Sequence, residues 1–330
     1  MPTDRQRTTA VLLALGSVLV ALGAVALALT VAGCGPAEGG ASGPVADRRV
    51  NVVATTSMLA DLAREVGGDR VEVEGLMGPG VDPHLYRPRE SDVSRLVGAD
   101  LVLYNGLELE GKMGEVLEQV ERRGIVAEPV AEVIDEGSLL APPEFSGAYD
   151  PHVWMDVTLW KRVSTAVADA FADLDPTHAE TYVANAAAYQ ARLDSLDAWV
   201  RQRVAEVPEN GRVLVTAHDA FNYFGRAYGF DVRGLQGLST ATEAGTADVR
   251  DLAAFVAERR IPALFVATRV SPRNIEAVQP AVRARGFRVE IGGNLFSDAL
   301  GDPGTPEGTY EGMIRHNVDT IVGALAPADS

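Results

Sequence analysis

Two of the five histidines in this 330-residue chain stand in the same tripeptide, Asp82-Pro83-His84 and Asp150-Pro151-His152. Proline fixes its own φ and pushes the residue before it toward extended geometry, so each tripeptide is a stiff turn that presents an imidazole at a defined angle. Neutral imidazole is the commonest metal ligand, and coordination tolerates little positional error. A third histidine, His218, ends the apolar run Val213-Leu-Val-Thr-Ala. One Asp-Pro-His is an ordinary solvated turn; two copies with a strand-end histidine point together to a metal site. The histidines are tens of residues apart, and no local motif such as His-Glu-x-x-His is present, so only the fold can bring them together.

The elements that must do so read as alternating strands and helices. Val50 to Thr55 is expected as a strand before a helix opening at Ser57, and Val71 to Gly75 as a second strand. Leu101 to Tyr104 and Ile125 to Ala127 read as two more, with a helix between them from Glu110 to about Arg122. The second half repeats the plan, with strands at Arg212 to Thr216, Ala263 to Ala267 and Phe287 to Ile291, and with Asp298 after the last. Thr246 reads as the N-cap of a helix whose Val249, Leu252, Ala253 and Val256 share a face. Between the halves, Asp175-Pro176 reads as an N-cap with proline at the first helical position. Tyr182, Ala186, Tyr189, Leu193, Leu196 and Val200 then recur at helical spacing up to about Ala205. This helix is expected to span roughly 45 Å at ~1.5 Å per residue. The fold class is therefore α/β: two (β/α) lobes with parallel sheets, joined by one long linking helix, with the metal site in the inter-lobe cleft.

Composition narrows the partners. A hydrophobic content of 47% supplies large cores, and the formal charge of −17 argues against nucleic acid and anionic membrane surfaces. Lys112 and Lys161 are the only lysines, and no phosphate-binding Gly-x-x-x-x-Gly-Lys-[Ser/Thr] loop is present.

The N-terminus bears on location. Arg5 and Arg7 precede a stretch without charge from Thr8 to Ala37, and Val31-Ala-Gly-Cys34 ends its apolar part at the chain's single cysteine. That pattern resembles a bacterial lipobox, which implies cleavage before Cys34 and lipid on its sulfur; an ordinary transmembrane anchor is the alternative, since the run is long enough to span ~30 Å of hydrocarbon. Processing would remove Asp4, Arg5 and Arg7, leaving 27 basic and 45 acidic residues and a charge of −18. The expected organisation is a signal peptide over 1–33, a flexible tether over 34–48, an N-terminal lobe over 49–174, a linking helix over 175–206 and a C-terminal lobe over 207–330. With no second cysteine, stability must come from packing.

Five segments carry a family resemblance: Val81-Asp-Pro-His-Leu-Tyr-Arg-Pro88, Asn105-Gly-Leu-Glu-Leu-Glu110, Tyr149-Asp-Pro-His-Val-Trp-Met-Asp156, Thr216-Ala-His-Asp-Ala-Phe-Asn-Tyr-Phe224 and Gly292-Gly-Asn-Leu-Phe-Ser-Asp-Ala-Leu-Gly301. Together they resemble the TroA-like zinc- and manganese-binding receptors of bacterial ABC importers, over essentially all of Asn51 to Ala326. The resemblance implies two α/β lobes bridged by a long helix, and metal ligands at His84, His152, His218 and Asp298. It also implies Zn2+ or Mn2+ as cargo, a membrane permease with a separate ATPase as partners, and a monomeric, lipid-anchored, extracytoplasmic protein that is not an enzyme. Members that resemble dedicated manganese receptors often carry glutamate at the third ligand position, where this chain has His218. Many zinc-dedicated relatives carry a histidine-rich loop before the second ligand, but Ile134 to Ala148 contains no histidine. Both metals fit such a branch.

Two readings from other classes stand beside this one. Three histidines and a carboxylate could activate water in a zinc hydrolase, which would keep an open coordination position beside a general base. An adhesin or structural lipoprotein would be indifferent to metal. His178 and His316 are expected outside the site, Asp82 and Asp150 as turn caps, and Glu243 as a residue that could approach the cleft.

Overall fold

The computed structural model describes residues 43–142, 147–268 and 272–327. The signal segment and Cys34 lie outside them. Two four-stranded parallel sheets form the body. In the N-terminal lobe, β1 (Val50–Ala54), β2 (Val71–Gly75), β3 (Leu101–Tyr104) and β4 (Val126–Pro129) lie in the order β2-β1-β3-β4. In the C-terminal lobe, β5 (Val213–His218), β6 (Asp231–Gln236), β7 (Ala263–Ala267) and β8 (Glu290–Leu295) lie in the order β6-β5-β7-β8. The two orders are the same permutation. In each sheet the chain moves to one side after the first strand and then crosses to the other side, which leaves a crevice at the carboxyl ends of the strands.

Helices cover the sheets: α1 (Ser57–Gly67), α2 (Glu90–Gly98), α3 (Gly114–Arg122) and α4 (Val157–Leu174) in the first lobe. The linking helix, α5, runs from Ala179 to Val204. In the second lobe follow α6 (Asn222–Tyr228), α7 (Thr246–Arg259), the short α8 (Pro272–Glu276) and α9 (Val278–Arg283), and α10 (Tyr310–Leu325). Among the described residues no helix is long and apolar enough to cross a membrane.

The apolar stripe of α5 explains how the lobes are joined. Tyr182, Ala186, Tyr189, Leu193, Leu196, Val200 and Val204 are all buried along its 26 residues, about 39 Å of helix at 1.5 Å per residue. They belong to one hydrophobic cluster that also holds Val50, Val52 and Leu101 of the first sheet and Leu214, Phe265 and Leu295 of the second. A core shared along the whole helix makes it a brace and a poor hinge.

Several elements begin elsewhere than the sequence suggests, each for a visible reason. The third helix starts at Gly114 instead of Glu110 because the Glu110 carboxylate is turned inward onto the preceding loop. A 3-10 turn at Pro176–His178 precedes α5. Asp175 makes no side-chain cap there; its carboxylate is taken by Tyr182 Oη at 2.8 Å and Arg70 at 3.2 Å. Gly245, not Thr246, caps α7, and its N–H donates to Asp248 Oδ2. Strand β6 is missed altogether, since Gly234 breaks its alternation. The last strand runs through Gly292-Gly293 to Leu295 and does not stop at Ile291. Those glycines let α10 lie close on the sheet, for a Cβ on Gly292 would sit 2.8 Å from the Ala324 methyl and one on Gly293 2.6 Å from Thr320 Cγ2. Contacts to the body also begin within the expected tether: Arg70 reaches the carbonyls of Val45, Ala46 and Arg48, and Arg48 pairs with Asp100.

Candidate metal centre

Each candidate residue leaves the carboxyl edge of a sheet. His84 lies in the loop after β2 and His152 in the segment between β4 and α4, while His218 is the last residue of β5 and Asp298 follows β8. The fold brings all four together between the lobes, two from each. All are buried, His152 and His218 completely, and one donor atom from each lies within 4.8 Å of the others.

The spacing of these atoms carries chemical information. His152 Nε2 is 3.3 Å from His84 Nε2, 3.2 Å from His218 Nε2 and 3.2 Å from Asp298 Oδ1. Asp298 Oδ1 is 3.8 Å from His84 Nε2, and its Oδ2 is 3.6 Å from His218 Nε2. An ion about 2.0–2.1 Å from four donors requires tetrahedron edges of about 3.3–3.4 Å. The observed separations scatter around that edge. Both Asp298 oxygens face imidazole nitrogens, so the carboxylate can offer a fifth contact to an ion that takes more than four.

The other ring nitrogens fix which way the lone pairs point. His152 Nδ1 donates to Asp150 Oδ1 at 2.7 Å, and His218 Nδ1 to the Gly237 carbonyl at 2.9 Å. Protons held there leave both Nε2 atoms free to donate a lone pair inward, the arrangement that ligating histidines usually show. Asp298 Oδ1 is itself buried without a hydrogen-bond donor in good geometry, a costly state for a carboxylate oxygen unless a cation meets it. Its Oδ2 accepts from Ser297 Oγ at 2.5 Å.

The charges are coupled. Burial pushes His84 down to about 3, so it stays neutral. Burial also opposes a proton on His152, but Asp150 and Asp298 outweigh it and raise that imidazole to about 10. Asp298 is held well below the usual carboxylate range, because the facing His218 and His152 outweigh the burial that would raise it. Asp150 and Asp298 thus favour a second proton on His152, which a cation at Nε2 would displace.

Two supports act through contacts that the sequence does not show. Trp154 lies edge-on to His152 at 5.2 Å between ring centroids, and its Nε1–H donates to the Ser297 carbonyl at 2.8 Å, which ties the His152 turn to the residue before Asp298. The Asn105–Glu110 loop is the other. Gly106, Leu107 and Glu108 have φ of 79°, 53° and 63°, and for the two non-glycine residues that geometry costs about 1–2 kcal/mol each. The buried Glu110 carboxylate holds the loop by accepting from Thr55 Oγ1 at 2.7 Å and from the Asn105 and Gly106 amides. Asn105 Nδ2 in turn donates to the Pro151 carbonyl at 3.1 Å, beside His152. An Asn-Gly pair marks a turn in any sequence, but its distant partners are set by the fold.

Asp82 and Asp150 do cap their turns, each accepting the backbone N–H of the histidine two residues on at 2.9 Å. Asp150 additionally orients the His152 ring. His178 pairs with Asp175 and His316 Nε2 with the Asn294 carbonyl, both outside the cluster, and Glu243 is exposed. A cavity of about 610 Å³ has His84 in its wall, with Glu108, Glu132 and Lys112 on one side and Ser239 and Ala241 of the other lobe across from them.

Two parallel-sheet lobes around a buried three-histidine, one-carboxylate cluster define a class of metal-binding proteins, and comparison with known proteins agrees. The model of the ZnuA family, described as zinc-uptake complex component A, periplasmic, matches residues 52–324. The zinc-binding protein TroA of Treponema pallidum (strain Nichols) is 50% identical over 287 residues, 87% of this chain and 92% of that one. The manganese-binding lipoprotein MntA of Bacillus subtilis (strain 168) is 47% identical over 296 residues, 89% of this chain and 95% of that one. The solved structure of the periplasmic zinc-binding protein TroA from Treponema pallidum superposes with a TM-score of 0.82, covering 84% of this chain and all of that one. The chain belongs to the ZnuA family of metal-binding proteins.

Proposed function

We propose that this protein is the extracytoplasmic solute-binding component of an ABC importer. It captures Zn2+ or Mn2+ with His84, His152, His218 and Asp298 and delivers the ion to a membrane permease worked by a separate ATPase. The observation that carries this reading is the tetrahedral spacing of four buried donors contributed equally by two lobes. Relatives named as zinc- and manganese-binding proteins support the cargo. Four protein donors close the shell around the ion, whereas a hydrolytic zinc site keeps a position open for water. The protein is therefore read as a carrier with no catalytic step of its own. Within it, 49–174 and 207–330 act as the two jaws of the site, with 175–206 as the brace, and it works as a monomer without nucleic acid.

Proton linkage supplies the test. Because His152 holds its proton up to about 10 in the metal-free protein, an incoming ion must displace that proton at neutral pH. Titration calorimetry on protein stripped with a chelator, repeated in buffers of different ionisation enthalpy, is expected to give one ion per chain and about one proton released between pH 7 and 8. Affinity then weakens as pH falls across a window that starts far above the ~6.5 of an ordinary imidazole. A titration showing neither heat nor proton release with either metal overturns the reading.

Location follows from the other end of the chain. We infer a lipid anchor at Cys34, supported by the small residues Val31-Ala-Gly before it and by relatives named as lipoproteins. Cys34→Ala is expected to move the protein out of the membrane fraction, or to leave it as unprocessed precursor, with metal binding intact. Mature-sized Cys34→Ala protein still sedimenting with membranes contradicts the anchor.

A further inference from the structure

Both Asp-Pro-His turns are built the same way, and in both the aspartate has two duties. One oxygen caps its own turn by accepting the histidine N–H, at 2.9 Å in each case. The other oxygen is taken by a side chain from the opposite lobe. Thr240 Oγ1 donates to Asp82 Oδ2 at 2.6 Å, and Asn222 Nδ2 donates to Asp150 Oδ2 at 3.0 Å. Thr240 stands on the segment after β6 and Asn222 opens α6, so the two contacts lie on different parts of the C-terminal lobe. His84 and His152 are thus each braced across the cleft by a residue that hydrogen-bonds to the aspartate of its turn and to none of the four clustered side chains.

We propose that Thr240 and Asn222 are positioning residues that latch the N-terminal ligand turns to the C-terminal lobe and so set how slowly a captured ion is released. The proposal rests on the receptor reading above. Its physical basis is that the two turns supply half the donors, and an ion leaves when either pair of donors separates from the other. A hydrogen bond to a carboxylate is stronger than one between neutral groups. Two such bonds, spanning the gap beside the first and second histidines, resist that separation without adding a donor. They act on the closed state and leave the approach of the ion untouched. The expected signature is therefore a change in dissociation with association preserved.

The test uses stopped-flow kinetics on the mature protein, with Zn2+ as the probe and a chelator in excess to draw off released metal. Thr240→Val keeps the shape and removes the donor; Asn222→Leu does the same for the second latch. Each is expected to speed release by about 10- to 100-fold, the range seen when a group supporting a ligand is lost, with association within about threefold. Thr240→Ser, which keeps the hydroxyl and loses the methyl, is expected to release slowly; an effect of packing alone would instead speed Thr240→Ser and spare Thr240→Val. Thr240 is buried but lies on a loop outside the sheets and helices, and its replacements match it closely in size, so its variants decide the matter if Asn222→Leu folds poorly. Release from Thr240→Val within twofold of the unmodified protein, or equal acceleration in Thr240→Ser, overturns the latch. Absence of Zn2+ binding by the unmodified protein in the same instrument would instead strike the receptor reading itself.

Discussion

Replacing any one of the four cage residues is expected to weaken metal binding by about 10²–10³-fold, while His178→Ala and His316→Ala leave it within about twofold. The magnitude follows from dividing the roughly 10–16 kcal/mol of a four-donor zinc site among its donors, about 2.5–4 kcal/mol each. Asp298→Asn is the cleanest single change because it keeps the shape. It removes the sole negative charge among the four donors while Ser297 can still donate to the remaining oxygen. His152→Ala carries an added cost, since it leaves the buried Asp150 carboxylate without the ring it pairs with. Circular dichroism and a melting curve on each metal-free variant separate loss of binding from loss of fold. Competition titration against a chelator of known affinity reads the effect, and equal losses at His316 and His84 would sink the ligand assignment.

The second large effect is thermal. An ion that binds only the folded chain stabilises it by mass action, about 4 kcal/mol when free metal stands a thousandfold above Kd. In a body of this size each kcal/mol moves Tm by about 2–4 °C, so saturating metal is expected to raise Tm by roughly 10 °C. Zn2+ is expected to act more strongly than Mn2+ at equal free concentration, because nitrogen-rich sites favour zinc along the Irving–Williams order. Scanning calorimetry on chelator-stripped protein checks both statements. A Tm indifferent to both metals at neutral pH counts against the receptor, and stabilisation by Mn2+ alone reverses the ranking. Relatives of nearly equal identity are named for different metals, so the ranking rests on the chemistry of the donor set.

The parallel sheets and the linking helix were legible because their apolar residues recur with clean periods. Val71 to Gly75, Leu101 to Tyr104 and Ala263 to Ala267 fall where the pattern places them, and so does the stripe from Tyr182 to Val200. The histidines were legible for a different reason: a proline before each of the first two fixes its turn locally, and the third ends a strand. What the sequence concealed depends on partners far along the chain. Nothing near Glu110 says that Thr55 and Asn105 will claim its carboxylate and delay a helix by a turn. Nothing near Gly292-Gly293 says that α10 needs their bare backbone. Asp150 could be recognised as a turn cap, but its hold on the His152 ring required the ring's orientation, which packing against Trp154 decides.

The even division of donors between lobes also bears on how the chain reaches its working state. His84 and His152 come from the first half and His218 and Asp298 from the second, near the far end of the body. A chain with only its first lobe formed offers two imidazoles and no carboxylate from the set, a grip far short of the complete site. The complete set of four thus exists only once the last strand has docked and brought Asp298 beside the imidazoles. A partly built molecule therefore presents only half of the four-residue cluster, and its two halves meet only in the finished fold.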